Sequence, residues 1–274
     1  MNGARDRGAT YLHDHTDGGT PARRPLAFAH RGFAPDGDEN TMAAFRAAVG
    51  LGYRYLETDV RTTRDGVLVV FHDERLERVT DGTGRIADRT YAELRRLRVA
   101  GRGSIPTFAE LLDEWPDIRL NVDVKDAAGA VLLARHIDAA GAHGRVLVSS
   151  FSARRLAAAR RALARPTALG ASVSTVALAT LLGPVGLTGG IGPLLRATDA
   201  LQVPERKGPV PVVTAGFLRR AHRRGLHVHV WVVNDPDRMR RLLDWGVDGL
   251  MTDRADLLAE VMAERGHWPQ RRPG

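Results

Sequence analysis

The chain contains no cysteine, which excludes disulfides and thiolate-bound metal and leaves the redox compartment open. Aromatic residues make up only 5% of 274 residues and no nucleic-acid-binding signature occurs, which argues against a base-stacking surface. Lysine is almost missing: Lys125 and Lys207 stand among 40 basic residues, and the rest are arginine. That bias reads as coding composition as readily as function, while the formal charge of +8 favours anionic substrates or membranes. A membrane span needs ~20 unbroken apolar residues. The charge-free stretch 166–195 is interrupted by Gly183, Pro184, Gly186, Gly189, Gly190, Gly192 and Pro193, so it does not read as a span. It reads instead as a buried strand, a helix and a glycine-rich loop, or as an apolar lip that meets lipid tails. The first 24 residues lack the apolar core of a secretory signal, so a cytoplasmic location is expected, with room for loose membrane contact through 166–195.

What is present suits one large domain, since 43% of the residues are hydrophobic and no linker divides the chain. Residues 1–24 are polar and expected to form a disordered tail, 25–262 the domain, and 263–274 a second tail. Within the domain, apolar runs predict eight strands: 26–30, 55–62, 120–125, 146–149, 167–170, 200–203, 227–233 and 249–252. Helices are expected over 41–50, 107–114, 128–140, 153–164, 215–224 and 236–245. Asn40 or Thr41 is suited to cap the first helix, and Asp235-Pro236 opens the last with a cap followed by proline. Eight strand–helix units in one domain predict a (β/α)8 TIM barrel. A doubly wound sheet is weaker, because no Gly-x-Gly-x-x-Gly turn follows the first strand. Residues 74–106 break the rhythm as a polar insertion, too long for a bare loop.

Residues 55–73 predict a β-hairpin that carries chemistry. Asp65-Gly66 read as a two-residue turn sets Arg64 opposite Val67 and Asp59 opposite His72. Glu57 and Asp59 then share one face of their strand. In a barrel, functional side chains gather where strands end. The first strand ends in His30-Arg31-Gly32, the third is Asn121-Val-Asp123-Val-Lys125, and the seventh runs through Trp231 toward Asn234. Glu57, Asp59 and Asp123 supply three hard oxygen ligands, which suits Mg²⁺ or Ca²⁺ better than zinc. His30 and His72 offer a general acid and a general base, and Arg31 and Lys125 offer charge to an anion. This inventory fits phosphoryl transfer.

The ordered segments His30-Arg31-Gly32, Glu39-Asn40-Thr41, Glu57-Thr-Asp59, Val69-Val-Phe-His72-Asp73, Asn121-Val-Asp123-Val-Lys125, Trp231-Val-Val-Asn234 and Gly246 to Asp253 resemble the glycerophosphodiester phosphodiesterase family over about residues 26–260. The resemblance implies a TIM barrel with a polar insertion after the hairpin. It implies a divalent cation on Glu57, Asp59 and Asp123, His30 and His72 as the acid–base pair, and Arg31 and Lys125 on the phosphate. Glu39 is expected in the site, Trp231 along the glycerol end, and Asn40 and Asn234 as loop braces. One departure stands out: the family usually has glutamate where this chain has Asp123. The expected activity is metal-dependent cleavage of a glycerophosphodiester to glycerol 3-phosphate and an alcohol, with water or the substrate's glycerol 2-hydroxyl as nucleophile. A lysophospholipid phosphodiesterase on the same barrel and a non-catalytic phosphodiester-binding protein are the alternatives.

Overall fold

The computed structural model describes residues 9–12, 24–183 and 192–271. Parallel strands β1 (Leu26–His30), β2 (Tyr55–Thr62), β4 (Arg119–Val124), β5 (Val146–Ser149), β6 (Ala168–Leu169), β7 (Ala200–Pro204), β10 (His227–Trp231) and β11 (Gly249–Thr252) lie in the order β6-β5-β4-β2-β1-β11-β10-β7. A Gly170–Ala200 bridge joins the two end strands and closes the barrel. Short antiparallel β3 (Leu68–Val70) pairs with β2 on its outer edge, and β8 (Arg206–Lys207) with β9 (Val210–Pro211) form a small separate ribbon. All eight strands of the barrel fall where the hydrophobic runs place them.

Most of the helices start at a side-chain cap. Thr41 accepts from Ala44 N ahead of α2 (Met42–Gly50), and Asp126 accepts from Gly129 N ahead of α5 (Ala127–Ala139). Thr90 with Glu93 closes a capping box on α3 (Tyr91–Leu94), and Thr107 with Glu110 closes one on α4 (Phe108–Glu114). Ser152 opens α6 (Ala153–Ala162), Ser172 α7 (Val173–Leu182), Thr214 α9 (Ala215–His222) and Asp235-Pro236 α10 (Pro236–Asp244). Between them runs short α8 (Gly192–Arg196), and α11 (Ala255–Glu264) ends the ring.

Period-two alternation divides the buried residues into two cores. Ala27, Ala29, Leu56, Val60, Leu120 and Val122 face the helices and join a large outer core. Phe28, Tyr55, Leu147, Ala168 and Met251 face the barrel axis and form a small inner one. Residues 1–24 are not wholly a tail: Ala9–Leu12 form a turn of helix, α1, whose Tyr11 and Leu12 are buried in that inner core. The Tyr11 and Tyr55 rings meet edge to face at 5.5 Å, and Tyr55 Oη donates to Tyr11 O at 3.0 Å. Burial of an aromatic ring outweighs the polar character of its sequence neighbours. The second expected tail is also docked through residue 271. The Trp268 and Tyr53 rings lie 4.7 Å apart, Trp268 Nε1 donates to Leu51 O, and Gln270 N and Arg271 N donate to Gly52 O.

The hairpin is shifted by one residue from the expected register. Val60 pairs with Val70 and Thr62 with Leu68, and Phe71 N donates to Asp59 O at 2.9 Å, so Phe71 rather than His72 stands opposite Asp59. The cause lies in the turn. Thr63 closes a three-residue loop by accepting from Val67 N and donating to Asp65, and among Arg64, Asp65 and Gly66 only Gly66 has positive φ. The insertion over 74–106 has its own small core of Val69, Phe71, Leu76, Ile86, Leu94, Val99 and Ile105, which gives it the structure its length requires.

Candidate active site

His30 ends β1, and the chain then turns sharply. Arg31 and Asn40 adopt left-handed backbone at φ 57° and 58°, with Gly32 at φ 85°. A Cβ on Gly32 would lie 2.7 Å from the Ala44 carbonyl carbon, so only glycine lets α2 approach this closely. Arg31 N donates to Glu57 O and Asn40 N to Arg31 O, which ties the loop across the strand end. The Arg31 guanidinium thereby meets two acids: Nη1 donates to Glu39 at 2.9 Å and Nε lies 3.1 Å from Asp59 Oδ2.

Asp59 is the hub of the site. Its carboxylate takes Asn40 Nδ2 at 3.1 Å and lies 2.8 Å from Lys125 Nζ, which also reaches Asp123 at 2.6 Å. Strand register sets this up, because Asp59 and Asp123 are direct partners of β2 and β4. The Asn40 amide is oriented by Thr58 Oγ1, which donates to Asn40 Oδ1 at 2.8 Å. Thr58, buried and alternating with the two acids of β2, thus braces the site from behind.

The two histidines are held alike. His30 Nδ1 sits 2.6 Å from Asp253 Oδ1, and His72 Nδ1 sits 2.5 Å from Asp73 Oδ1. An ionised carboxylate only accepts, so each Nδ1 carries a proton and each Nε2 is left for chemistry. His30 Nε2 points toward Glu57 Oε2 at 3.7 Å. Asp253 is fixed in turn by Asn234, whose Nδ2 donates at 2.9 Å and whose Oδ1 accepts from Asp253 N. Asp73 takes Arg78 Nε at 2.5 Å, and the same Arg78 donates twice to Glu39. One network of alternating charge thus runs from His72 through Asp73, Arg78, Glu39 and Arg31 to Asp59.

Burial and charge push these groups apart. Burial opposes protonation of His30, but the Glu57 charge and the Asp253 hydrogen bond prevail and raise its pKa. Burial lowers that of His72, with Lys125 and Arg31 adding to the shift against the pull of Asp59. Burial raises Glu57 to about 7, with Asp59 adding to the shift. For Asp59 burial is overcome by Lys125 and Arg31, which hold it below the usual range, whereas for Asp123 burial prevails and raises it. The two imidazoles are thus shifted in opposite directions.

The sequence expectation of a cation on Glu57, Asp59 and Asp123 meets a mixed geometry. Glu57 Oε2 and Asp123 Oδ1 are buried without a hydrogen-bond partner, and Glu57 is short of compensating charge. Hard carboxylate oxygens in that condition suit Mg²⁺ or Ca²⁺. Among the described residues, however, no three His, Asp or Glu side chains converge as a ready ion cage, and Lys125 Nζ stands between Asp59 and Asp123.

Trp231 ends β10 and stacks on Phe151 at 5.8 Å with the rings 25° apart, while Lys125 Nζ lies 5.5 Å from the Phe151 centroid. Lys125 and the aromatic pair therefore form one wall of the mouth. The sequence reading assigned no part to Phe151, Asp73, Arg78 or Asp253. Asp253 and Asp73 carried a signal, since each closes a strand-end motif; Arg78 and Phe151 carried none.

The glycerophosphoryl diester phosphodiesterase family model matches residues 30–257. A Mycobacterium tuberculosis protein named probable glycerophosphodiester phosphodiesterase 2 is 40% identical over 260 residues, covering 92% of this chain and 98% of its own. The glycerophosphodiester phosphodiesterase of Caldanaerobacter subterraneus subsp. tengcongensis is 30% identical over 258 residues, covering 89% and 100%. Among solved structures, an Oleispira antarctica phosphodiesterase in complex with the product sn-glycerol-3-phosphate superposes with a TM-score of 0.70 at 25% identity, covering 87% of this chain and 97% of that one. The motifs, the barrel and these likenesses agree, and the chain belongs to the glycerophosphoryl diester phosphodiesterase family.

Proposed function

We propose that the chain hydrolyses glycerophosphodiesters to glycerol 3-phosphate and an alcohol, with His30 and His72 as the acid–base pair. The observation that carries this is the matched geometry of the two imidazoles, each with Nδ1 tied to an aspartate and Nε2 presented at the strand ends. Arg31 and Lys125 bind the phosphate oxygens, and Glu39, clasped by Arg31 and Arg78, fixes Arg31 in place. Trp231, on its Phe151 support, lines the glycerol end. Glu57, Asp59 and Asp123 would hold a divalent cation, Mg²⁺ or Ca²⁺, which when bound supplies positive charge to the phosphoryl oxygens. One imidazole takes the proton of the attacking hydroxyl, from water directly or from the glycerol 2-hydroxyl; in the second case the first product is a cyclic glycerol phosphate, which water then opens to glycerol 3-phosphate. As the phosphorus–oxygen bond to the alcohol breaks, the other gives its proton to the leaving oxygen. The product held by the Oleispira antarctica structure supports this substrate class.

A second reading, a lysophospholipid as the diester, is favoured by the mouth itself: Phe151 is 58% exposed beside Trp231, and Val173 N donates to Phe151 O at 3.3 Å. The experiment is release of glycerol 3-phosphate from glycerophosphocholine, first in EDTA and then with Mg²⁺ or Ca²⁺. Release that depends on added metal is expected. No release with any metal, joined by release of choline and acylglycerol phosphate from lysophosphatidylcholine, moves the assignment to the lipid substrate. Failure with both sinks the hydrolase reading in favour of a binding protein.

A further inference from the structure

α7 is anomalous among the outer helices. A helix on the outside of a barrel normally turns charged residues to water. α7 has none in ten residues, VSTVALATLL, yet Leu181 is 72% exposed, Val173 45% and Leu178 36%. Its neighbour α6 has the opposite character: Arg154, Arg160 and Arg161 are exposed and have no ion-pair partner among the described residues. The first turn of α7 is joined to the active-site mouth, since Val173 N donates to Phe151 O and Phe151 stacks on Trp231.

We infer that the α6–α7 face docks on the surface of an anionic phospholipid bilayer, with the exposed apolar side chains of α7 in the interface and the α6 arginines on lipid phosphates. Charge selects this occupant. An apolar helix alone would suit any greasy partner, but unpaired arginines beside it match a surface that is both apolar and negative. Arginine is suited to this because its planar guanidinium binds phosphate oxygens in pairs. Docking by this face would bring Phe151 and Trp231 to the level of the head groups. It would thus serve the lipid reading of the substrate, and it is scored by vesicle binding, apart from hydrolysis.

The test is co-sedimentation of the full chain with vesicles of phosphatidylcholine alone and of phosphatidylcholine with phosphatidylglycerol. Several-fold more protein is expected on the anionic vesicles, falling when ionic strength rises to about 0.5 M, where surface charges are screened. Leu181→Asp and the double change Arg154→Glu with Arg161→Glu should each lose most of the binding. Both sit on exposed positions and should leave glycerophosphocholine hydrolysis unchanged, which separates lost docking from a lost enzyme or a lost fold. Equal binding to both vesicle types, no binding, or wild-type binding by the variants would overturn the inference. So would light scattering that shows a dimer made monomeric by Leu181→Asp, because the face would then be covered by a second copy.

Discussion

The two ends of the barrel interior are built on the same alternate strand positions and differ in nearly everything else. On β2, Tyr55 faces the axis at the lower end, and Glu57 and Asp59 face it further up. On β1, Phe28 lies below and His30 above. Below, aromatic and aliphatic side chains close on Tyr11. Above, three buried acids crowd together, and Arg31 and Lys125 only partly offset them, as the raised Glu57 and Asp123 show. The lower end is what folding by itself favours. The upper end costs stability, and the family's chemistry accounts for it.

The comparison predicts substitutions that separate activity from stability. At the upper end, His30→Ala and His72→Ala should each lower kcat by roughly 10²- to 10⁴-fold, the usual contribution of a positioned acid or base, with the circular dichroism spectrum unchanged. Wild-type turnover in either variant would remove that histidine from the mechanism. At the lower end, Tyr11→Ala should cost roughly 3–5 kcal/mol of stability, as for a large buried ring, and leave KM unaltered below the melting range. A wild-type denaturation midpoint would show that the inner core does not need its plug.

The smallest effect sharpens the contrast through pH. Glu57 is held protonated to about pH 7 in the folded chain, while an unfolded carboxyl loses its proton near the ordinary carboxylate value. Between those points the folded state binds the extra proton, so stability falls as pH rises, and it stays reduced above. In EDTA, Glu57→Gln should therefore melt higher than wild type at pH 8, with the gap closing toward pH 5. A gap that is constant with pH, or opposite in sign, would refute an ionised and undercompensated Glu57.

Much of this was legible in the chain. Runs such as Leu-Ala-Phe-Ala-His and Tyr-Leu-Glu-Thr-Asp-Val-Arg-Thr fix β1 and β2 to the residue, because buried parallel strands are continuous apolar runs broken only where chemistry intrudes. His30, Asp59, Asp123 and Lys125 could be read as one patch because they stand toward strand ends, while His72 was joined to it through a hairpin pairing with Asp59 that is one residue out. The hairpin register could not, because Asp-Gly marks a turn without saying whether two or three residues make it. Nor could the partner of His30, since Asp253 lies 223 residues away and meets it only when β11 closes on β1. Tyr11 was hidden for another reason: a single ring in a polar stretch has no periodicity to betray it.

The docking of residues at both extremes of the described chain has a practical consequence. Tyr11 seals the inner core beneath Tyr55, and Trp268 and Gln270 fasten to Leu51 and Gly52 just ahead of β2, so both anchor points lie on the rim where the strands begin. The acids and imidazoles lie on the rim where the strands finish. A surface tether attached just beyond Arg271 would hold the molecule by its base and present its mouth outward, like a cup fixed to a table.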